Sequence, residues 1–378
     1  MSDVVLVTSS FLPRFGGVEE HVLNVARRLR DAGTDVVVWS VDRGDDVPSE
    51  VDGIPVRYLP TPLPARSVRS AASFVLRAPG AALAWRRALR ADRPRVVHVH
   101  CYGPNGVWAS ALARLARRPL VVTTHGETFG DADGVFETSA LLRSSLRSSL
   151  RSAAAVTACS RYAADDLARF GAEVEDVRVV PNGIDVHEPE GAPPAGLPER
   201  YVLGIGRLVG NKGMDLLLEA FTTAALPEDV HVVVAGDGPV RGDLEAAAQE
   251  LGIADRVVFT GRLDRPEVVA TMSRAAALVV PSRAEAFGIA VLEGWRAGVP
   301  VVATNRGGPP EFVSDGVDGL LVDPTDVPAL AAALRRAVLD EGFARRLGAA
   351  GRVRAADYGW ARVADEYRDV YRGTARHP

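Results

Sequence analysis

Tyr201-Val202-Leu203-Gly204-Ile205-Gly206-Arg207-Leu208-Val209-Gly210-Asn211-Lys212-Gly213-Met214 is an apolar run that ends in a glycine-bracketed loop with two cations, and a helical pattern starts at Met214. Strand, tight loop and amphipathic helix make one βα unit. The same alternation continues through Val230–Ala235, Val240–Leu251, Val257–Phe259, Leu278–Pro281, Gly288–Ala297 and Val301–Ala303, with helices to the end. Short β-branched runs separated by helical patterns predict a parallel sheet covered on both faces.

N-terminal to it the pattern occurs a first time, in Val4–Thr8, Gly17–Ala32, Asp35–Ser40, Val96–His100, Gly106–Leu115, Leu120–Thr124, Ala155–Ala158 and Val177–Val180. Asp185–Arg200 between them is rich in proline, glycine and acid and has no periodicity. The reading is therefore two tandem Rossmann-like, doubly wound α/β domains: residues 1–185, a linker at 186–200, and residues 201–358. A last segment, 359–378, carries a helix over Trp360–Tyr371 after a turn at Asp357–Gly359 and is expected to cross back to the first domain. In open parallel sheets ligands bind beyond the carboxyl ends of the strands, so the strand ends are where chemistry is sought.

Composition agrees with two cored domains: 378 residues, 47% hydrophobic, 24% charged and a formal net charge of -4. Disorder is excluded. Cys101 and Cys159 are the two cysteines, too few for a disulfide framework or a cysteine metal knuckle, and their rarity fits a reducing compartment. The N-terminus lacks a signal-peptide pattern, and no apolar run approaches the roughly 18 residues of a membrane span. A cytoplasmic protein is expected.

Of 44 basic residues, one is lysine, Lys212. A genome rich in G and C explains the arginines. Either chance left the one lysine, or its site is one where a compact ammonium is expected to outperform a planar guanidinium, as at a phosphate. Lys212 and Arg207 share a loop just before a helix N-terminus, which suits a diphosphate. The dinucleotide pattern GxGxxG fails, because Val209 stands where the third glycine belongs.

Pro281-Ser282-Arg283-Ala284-Glu285-Ala286-Phe287-Gly288 then ends a strand, and Glu293 lies on the apolar helix that follows. Two buried glutamates need partners. Either they are a capping and a salt-bridged residue, or they accept from sugar hydroxyls, Glu285 from a hexose and Glu293, about two helical turns on, from a ribose.

Arg207 with Lys212, Glu285 and Glu293 around Phe287-Gly288, Ala297-Gly298-Val299-Pro300-Val301-Val302-Ala303-Thr304 and Gly307-Gly308-Pro309-Pro310-Glu311 together resemble the family 4 glycosyltransferases. So do Arg14-Phe15-Gly16-Gly17-Val18-Glu19-Glu20-His21-Val22, Thr123-Thr124-His125-Gly126 and Val180-Pro181-Asn182-Gly183-Ile184-Asp185 in the first half. The resemblance covers nearly the whole chain. It implies the two-domain GT-B fold, a retaining hexosyl transfer and a nucleotide-sugar co-substrate, with no cofactor. It also implies that Arg207 and Lys212 bind the diphosphate, Glu293 the ribose, and Glu285 with the Phe287 and Gly288 backbone the sugar hydroxyls. His125 would sit by the sugar 6-hydroxyl. Gly16 and Gly17 let backbone approach the phosphates or the acceptor. The donor is expected to be a UDP-sugar, on family frequency, with GDP-mannose second. Ala286 and Phe312 depart mildly from the family pattern, and Pro309 and Pro310 have no N–H to offer.

His98 and His100 point to one face of a strand, but no third metal ligand is evident. Asp131-Ala132-Asp133 matches a metal-binding DxD pattern without its context. Metal independence is expected, since Arg207 and Lys212 meet the donor's charge. With Glu285 occupied by hydroxyls the resemblance offers no carboxylate nucleophile at the anomeric carbon, and front-face substitution is expected. Residues 66 to 95 carry eight arginines and one acid, and Arg143, Arg147 and Arg151 run beside Leu142, Leu146 and Leu150. Such faces fit either a solvated helix or contact with anionic lipid under a lipid-linked acceptor. No nucleic-acid motif accompanies them. The competing functions are a sugar-nucleotide epimerase on the same fold and a noncatalytic nucleotide-sugar binder.

Overall fold

The computed structural model describes residues 2–12, 16–44, 47–64, 68–130 and 134–374. It divides into two units, Met1–Asn182 with Trp360–Pro378, and Gly183–Gly359.

The first unit holds β1 (Val4–Thr8), β2 (Val36–Val41), β3 (Glu50–Val51), β4 (Ile54–Leu59), β5 (Val96–His100), β6 (Leu120–Thr124), β7 (Ala155–Ala158) and β8 (Arg178–Val179). They form one sheet in the order β3-β4-β2-β1-β5-β6-β7-β8. All pairings are parallel except β3 with β4. Every residue of β1, β5 and β6 is buried, as continuous β-branched runs between two helical layers must be. The order reverses between β1 and β5, so the switch point of this sheet lies at Thr8 and His100.

The helix Gly17–Asp31 buries His21, Val22, Val25, Ala26 and Leu29 on one stripe, with Glu19 and Glu20 in its first turn and Arg28 and Arg30 in its last. The helix Trp360–Thr374 packs on it and joins the first unit's core through Trp360, Val363, Ala364, Tyr367 and Val370, at helical spacing. The C-terminal helix thus belongs to the first unit, as its sequence position alone would not require.

The second unit holds β9 (Arg200–Ile205), β10 (Val230–Ala235), β11 (Val257–Gly261), β12 (Ala277–Val280), β13 (Val301–Thr304) and β14 (Leu320–Val322). The order is β11-β10-β9-β12-β13-β14, all parallel. The switch lies between β9 and β12.

Three features differ from the sequence expectation. Residues 186–200 fall inside the second unit and are not a free linker: Glu188 accepts from Arg265 and Arg296, and Gly191 N–H donates to Pro266 O at 3.1 Å. Strands β3, β4 and β14 are not marked by the periodicity of the sequence, β3 and β14 being only two and three residues long. On the helix Ala140–Ser152, Leu142, Leu146 and Leu150 face the core, and the Arg143 guanidinium donates to the carbonyls of Phe136 and Glu137. That apolar stripe is therefore not available to a membrane.

Candidate active site

In the second unit the loops after β9 and β12 flank the switch point and are tied to each other. The chain turns through a 3-10 segment, Gly210–Lys212, and enters the helix Met214–Ala224 at Gly213, whose φ is +66°. A Cβ there would lie 2.0 Å from the Pro281 carbonyl oxygen, so glycine is what lets this loop touch the end of β12. Arg283 N–H donates to Asn211 O at 2.8 Å, Asn211 Nδ2 donates to Ala284 O at 2.8 Å, and the Arg283 guanidinium takes Asp215 in a two-point pair.

Lys212 and Glu285 meet as a result. Lys212 Nζ donates to Glu285 Oε2 at 2.7 Å, and Ser282 Oγ donates to the same oxygen at 2.8 Å. The Glu285 backbone is fixed on both sides, its N–H to Arg306 O at 3.0 Å and its carbonyl to Gly308 N–H at 2.8 Å. Gly307, at φ +130°, permits the approach, since a Cβ there would lie 2.0 Å from Glu285 O. Gly288, at φ +102°, opens the helix Ile289–Ala297 with no side-chain cap, which leaves first-turn N–H groups for a ligand. The Phe287 ring is buried and stacked on Phe312, centroids 4.7 Å apart, so Phe287 can contribute only backbone. Arg207 stands exposed in the same loop, with no side-chain partner among the described residues.

Glu293 is 6% exposed and pairs with Arg265 through Nη1. Arg265 also holds Glu188, which holds Arg296, itself largely buried. The four charges cancel, which is how a buried carboxylate is kept in an apolar helix. Ser282 lies in the loop quoted from the sequence, without a role read for it there, and Arg265 and Glu188 have no local sequence signal. Glu188 stands 77 residues from Arg265, and only the folded sheet brings them together.

In the first unit His125, the candidate sugar contact, follows β6. Its backbone N–H donates to Glu127 Oε2 at 2.7 Å, and Glu127 Oε1 accepts from Tyr102 N–H at 2.7 Å. Burial pushes the Glu127 carboxyl up, against hydrogen bonds from the His125 and Tyr102 backbone and from Thr124 that lower it. Glu127 thereby ties the loop after β5 to the loop after β6, a role that the sequence reading missed. Around His125 gather His21, His98 and His100. His21 Nδ1 meets Asn182 Oδ1 at 2.7 Å and His21 Nε2 meets the Tyr367 hydroxyl at 3.0 Å. His98 contacts the Tyr371 hydroxyl at 2.7 Å and Thr123 Oγ1 at 2.6 Å. Burial lowers the His21 pKa to about 4, against the Asn182 hydrogen bond that raises it. Burial, then the neighbouring imidazoles, push His98, His100 and His125 well below the ordinary histidine value. All four are neutral at pH 7.

The third imidazole that the sequence did not reveal is thus present: His21, His100 and His125 place ligand atoms within 4.8 Å of one another. A metal there would have to displace Asn182 or Tyr367 from His21, whose nitrogens are both engaged. Gly16 caps the helix Gly17–Asp31 in extended conformation, φ -169°. Arg14, Phe15, Asp131 and Asp133 lie outside the described residues.

Two Rossmann-like units, each with its loops gathered at a switch point, and a lysine–glutamate pair at one of them define the GT-B class of glycosyltransferases. Two family models match, "Glycosyltransferase Family 4" over residues 15–188 and "Glycosyl transferases group 1" over residues 191–354. A D-inositol 3-phosphate glycosyltransferase of Xylanimonas cellulosilytica is 30% identical, covering 96% of this chain and 93% of its own. A GDP-mannose-dependent alpha-(1-6)-phosphatidylinositol monomannoside mannosyltransferase of Mycolicibacterium smegmatis is 29% identical, covering 92% of both. The solved sucrose-phosphate synthase of Thermosynechococcus elongatus superposes with a TM-score of 0.78 at 24% identity, covering 98% of each chain. The chain belongs to glycosyltransferase family 4, and it is a hexosyltransferase that uses a nucleotide-sugar donor.

Proposed function

We propose that the protein transfers a hexosyl group with retention from a nucleoside-diphosphate sugar to an acceptor hydroxyl, without a metal. The observation that carries this reading is the Lys212–Glu285 contact at the β9/β12 switch point. Lys212 and Arg207 hold the diphosphate, Glu293 the ribose, and Glu285 with the backbone of Phe287 and Gly288 the sugar hydroxyls. His125 contacts the sugar, and Gly16 and Gly17 approach the phosphates or the acceptor. Glu285 already accepts from Lys212 and Ser282, which leaves it poorly placed as a nucleophile. The acceptor oxygen therefore attacks the anomeric carbon on the face that the diphosphate leaves, and its proton passes to the departing phosphate oxygen. Arg207 and Lys212 stabilise the charge that develops there.

For the donor, the family resemblance favours UDP-sugars, and the name of the Mycolicibacterium relative supports GDP-mannose. On the acceptor side, the helix Val68–Asp92 exposes Val75 by 67% and Leu76 by 81%, beside exposed Arg77, Arg86, Arg87 and Arg90. No helix among the described residues is long and apolar enough to cross a membrane. This face suits a peripheral contact with anionic lipid, where a lipid-linked acceptor would be presented.

The test is a thermal-shift panel of UDP-glucose, UDP-galactose, UDP-N-acetylglucosamine and GDP-mannose, with and without EDTA, on wild type and Lys212→Ala. At 100 times its dissociation constant a donor stabilises the fold by about 2.7 kcal/mol. One donor that stabilises wild type, fails with Lys212→Ala and ignores EDTA is the expected result. Stabilisation that EDTA abolishes would overturn metal independence, and inverted stereochemistry in the product would overturn front-face retention.

A further inference from the structure

His100 is buried under His21, His98 and Tyr367 and is not among the residues given a role above. Its Nδ1 lies 3.1 Å from His125 Nε2. Both rings are neutral at pH 7, so each carries one proton, and two arrangements are open. In one, His100 donates from Nδ1 and His125 carries its proton on Nδ1. In the other, His125 donates from Nε2 and His100 must carry its proton on Nε2.

The surroundings of His100 Nε2 decide between them. That atom is buried and has no hydrogen-bond partner among the described residues. The neighbouring imidazoles have no free acceptor for it, because His21 is engaged by Asn182 and Tyr367 and His98 by Tyr371 and Thr123. A buried N–H without an acceptor is the rarer defect, whereas under-used acceptors occur more often. The first arrangement is the one that avoids the orphaned donor.

We propose that His100 is a positioning residue: it donates Nδ1–H to His125 Nε2 and so keeps the His125 proton on Nδ1, making His125 a hydrogen-bond donor and not a base. The local backbone holds the pair in place. Cys101, between β5 and the next helix, adopts a left-handed φ of +55°, unusual for a non-glycine residue, and Glu127 bonds Tyr102 N–H and His125 N–H at once. The inference rests on the reading that His125 contacts the donor sugar. It adds that His125 grips a hydroxyl oxygen and leaves the acceptor's proton to the departing phosphate.

The test is selective 15N-histidine labelling of the full chain, in which protonated and bare ring nitrogens have distinct shifts, with His125 assigned by its loss in His125→Gln. A protonated Nδ1 and bare Nε2 on His125 is expected. Protonation at Nε2 in wild type would overturn the proposal. In kinetics with UDP-glucose or GDP-mannose, whichever turns over, His100→Leu should lower kcat/KM by about tenfold, the loss of one aligned hydrogen bond. His100→Asn, whose amide N–H stands where Nδ1–H stood, should recover most of that loss and keep the His125 proton on Nδ1. Equal loss in both variants would mean that His100 only fills space. If His100→Leu does not fold, the wild-type and His100→Asn spectra still decide. His125→Ala with unchanged turnover, beside the expected spectra, would remove the donor-site reading of His125 and leave the tautomer assignment standing.

Discussion

Lys212 Nζ lies 2.7 Å from Glu285 Oε2, and through that contact the loop after β9 and the loop after β12 share one charge-neutral centre at the switch point of the second sheet. Lys212 keeps 31% of its side chain exposed and Glu285 10%, so the ammonium retains open hydrogen-bonding directions while the carboxylate is sheltered. Lys212→Ala should lower kcat/KM by about 10²- to 10³-fold, the usual size of removing one donor aimed at developing charge, and should also lower Tm, because the sheltered Glu285 carboxylate keeps only Ser282 as a side-chain partner. Lys212→Arg is the sharper comparison, in a chain where every other basic residue is arginine. A planar guanidinium does not replace a point charge at a crowded phosphate, and a wild-type rate for Lys212→Arg would refute the argument from the lone lysine.

Glu293 and Glu188 are separated from uncompensated burial by Arg265. Arg265→Ala should destabilise the second unit by about 3 kcal/mol, since removing one partner of a buried pair leaves a buried charge. The double variant Arg265→Met with Glu293→Met should recover most of that stability, because apolar residues of similar volume replace buried pairs at little cost. It should not recover donor affinity. Urea unfolding and donor titration on the same three proteins separate the two effects, and normal donor affinity in the double variant would remove Glu293 from the ribose site.

Much of the second-unit site was legible because it is local. Strand, glycine-bracketed loop and helix occur in one run from Tyr201 to Met214, and Ser282 to Gly288 follow the same rule after β12. The partners of these residues were not legible, because they come from afar. Arg265 reaches Glu188 across 77 residues, and His21 reaches Tyr367 across 346. The segment 186–200 looked like a linker because proline, glycine and acid carry no periodicity, yet one of those acids completes an ion-pair network. The histidine cluster was hidden for a related reason: alternation placed His98 and His100 on one face, but nothing local says that the helix bearing His21 and the C-terminal helix close over that face.

Gly213 and Gly210 offer a matched comparison within one loop. At Gly213 a Cβ would meet Pro281 O at 2.0 Å in a left-handed backbone, whereas at Gly210 nothing among the described residues lies within 4 Å of it. Gly213→Ala should therefore push the Lys212 loop away from β12, weakening donor binding and lowering Tm together, with about 1 kcal/mol from the backbone conformation alone. Gly210→Ala should leave Tm near wild type. Equal Tm values for the two variants would mean that the loop is not clamped against the strand end.

Acid should loosen the first unit through its buried imidazoles. The His21 pKa falls from 6.5 to about 4 on burial, so below pH 6.5 the unfolded chain binds a proton that the folded chain refuses. Stability is then fully present above pH 6.5 and is lost as the pH falls toward 4, at up to about 1.4 kcal/mol per pH unit for each such histidine. His98, His100 and His125 are shifted in the same direction, which steepens the loss. The half-buried Glu127 carboxyl, pushed up by desolvation, acts with the opposite sign, because the folded state takes up its proton before the unfolded one. With four histidines against one carboxyl, the net change on acidification is a loss. Urea unfolding followed at pH 7, 6 and 5 should give a falling free energy, and His21→Gln should flatten the slope even though it lowers the value at pH 7. A free energy that stays level from pH 7 to 5 would mean that these rings reach water and take up protons in the folded state.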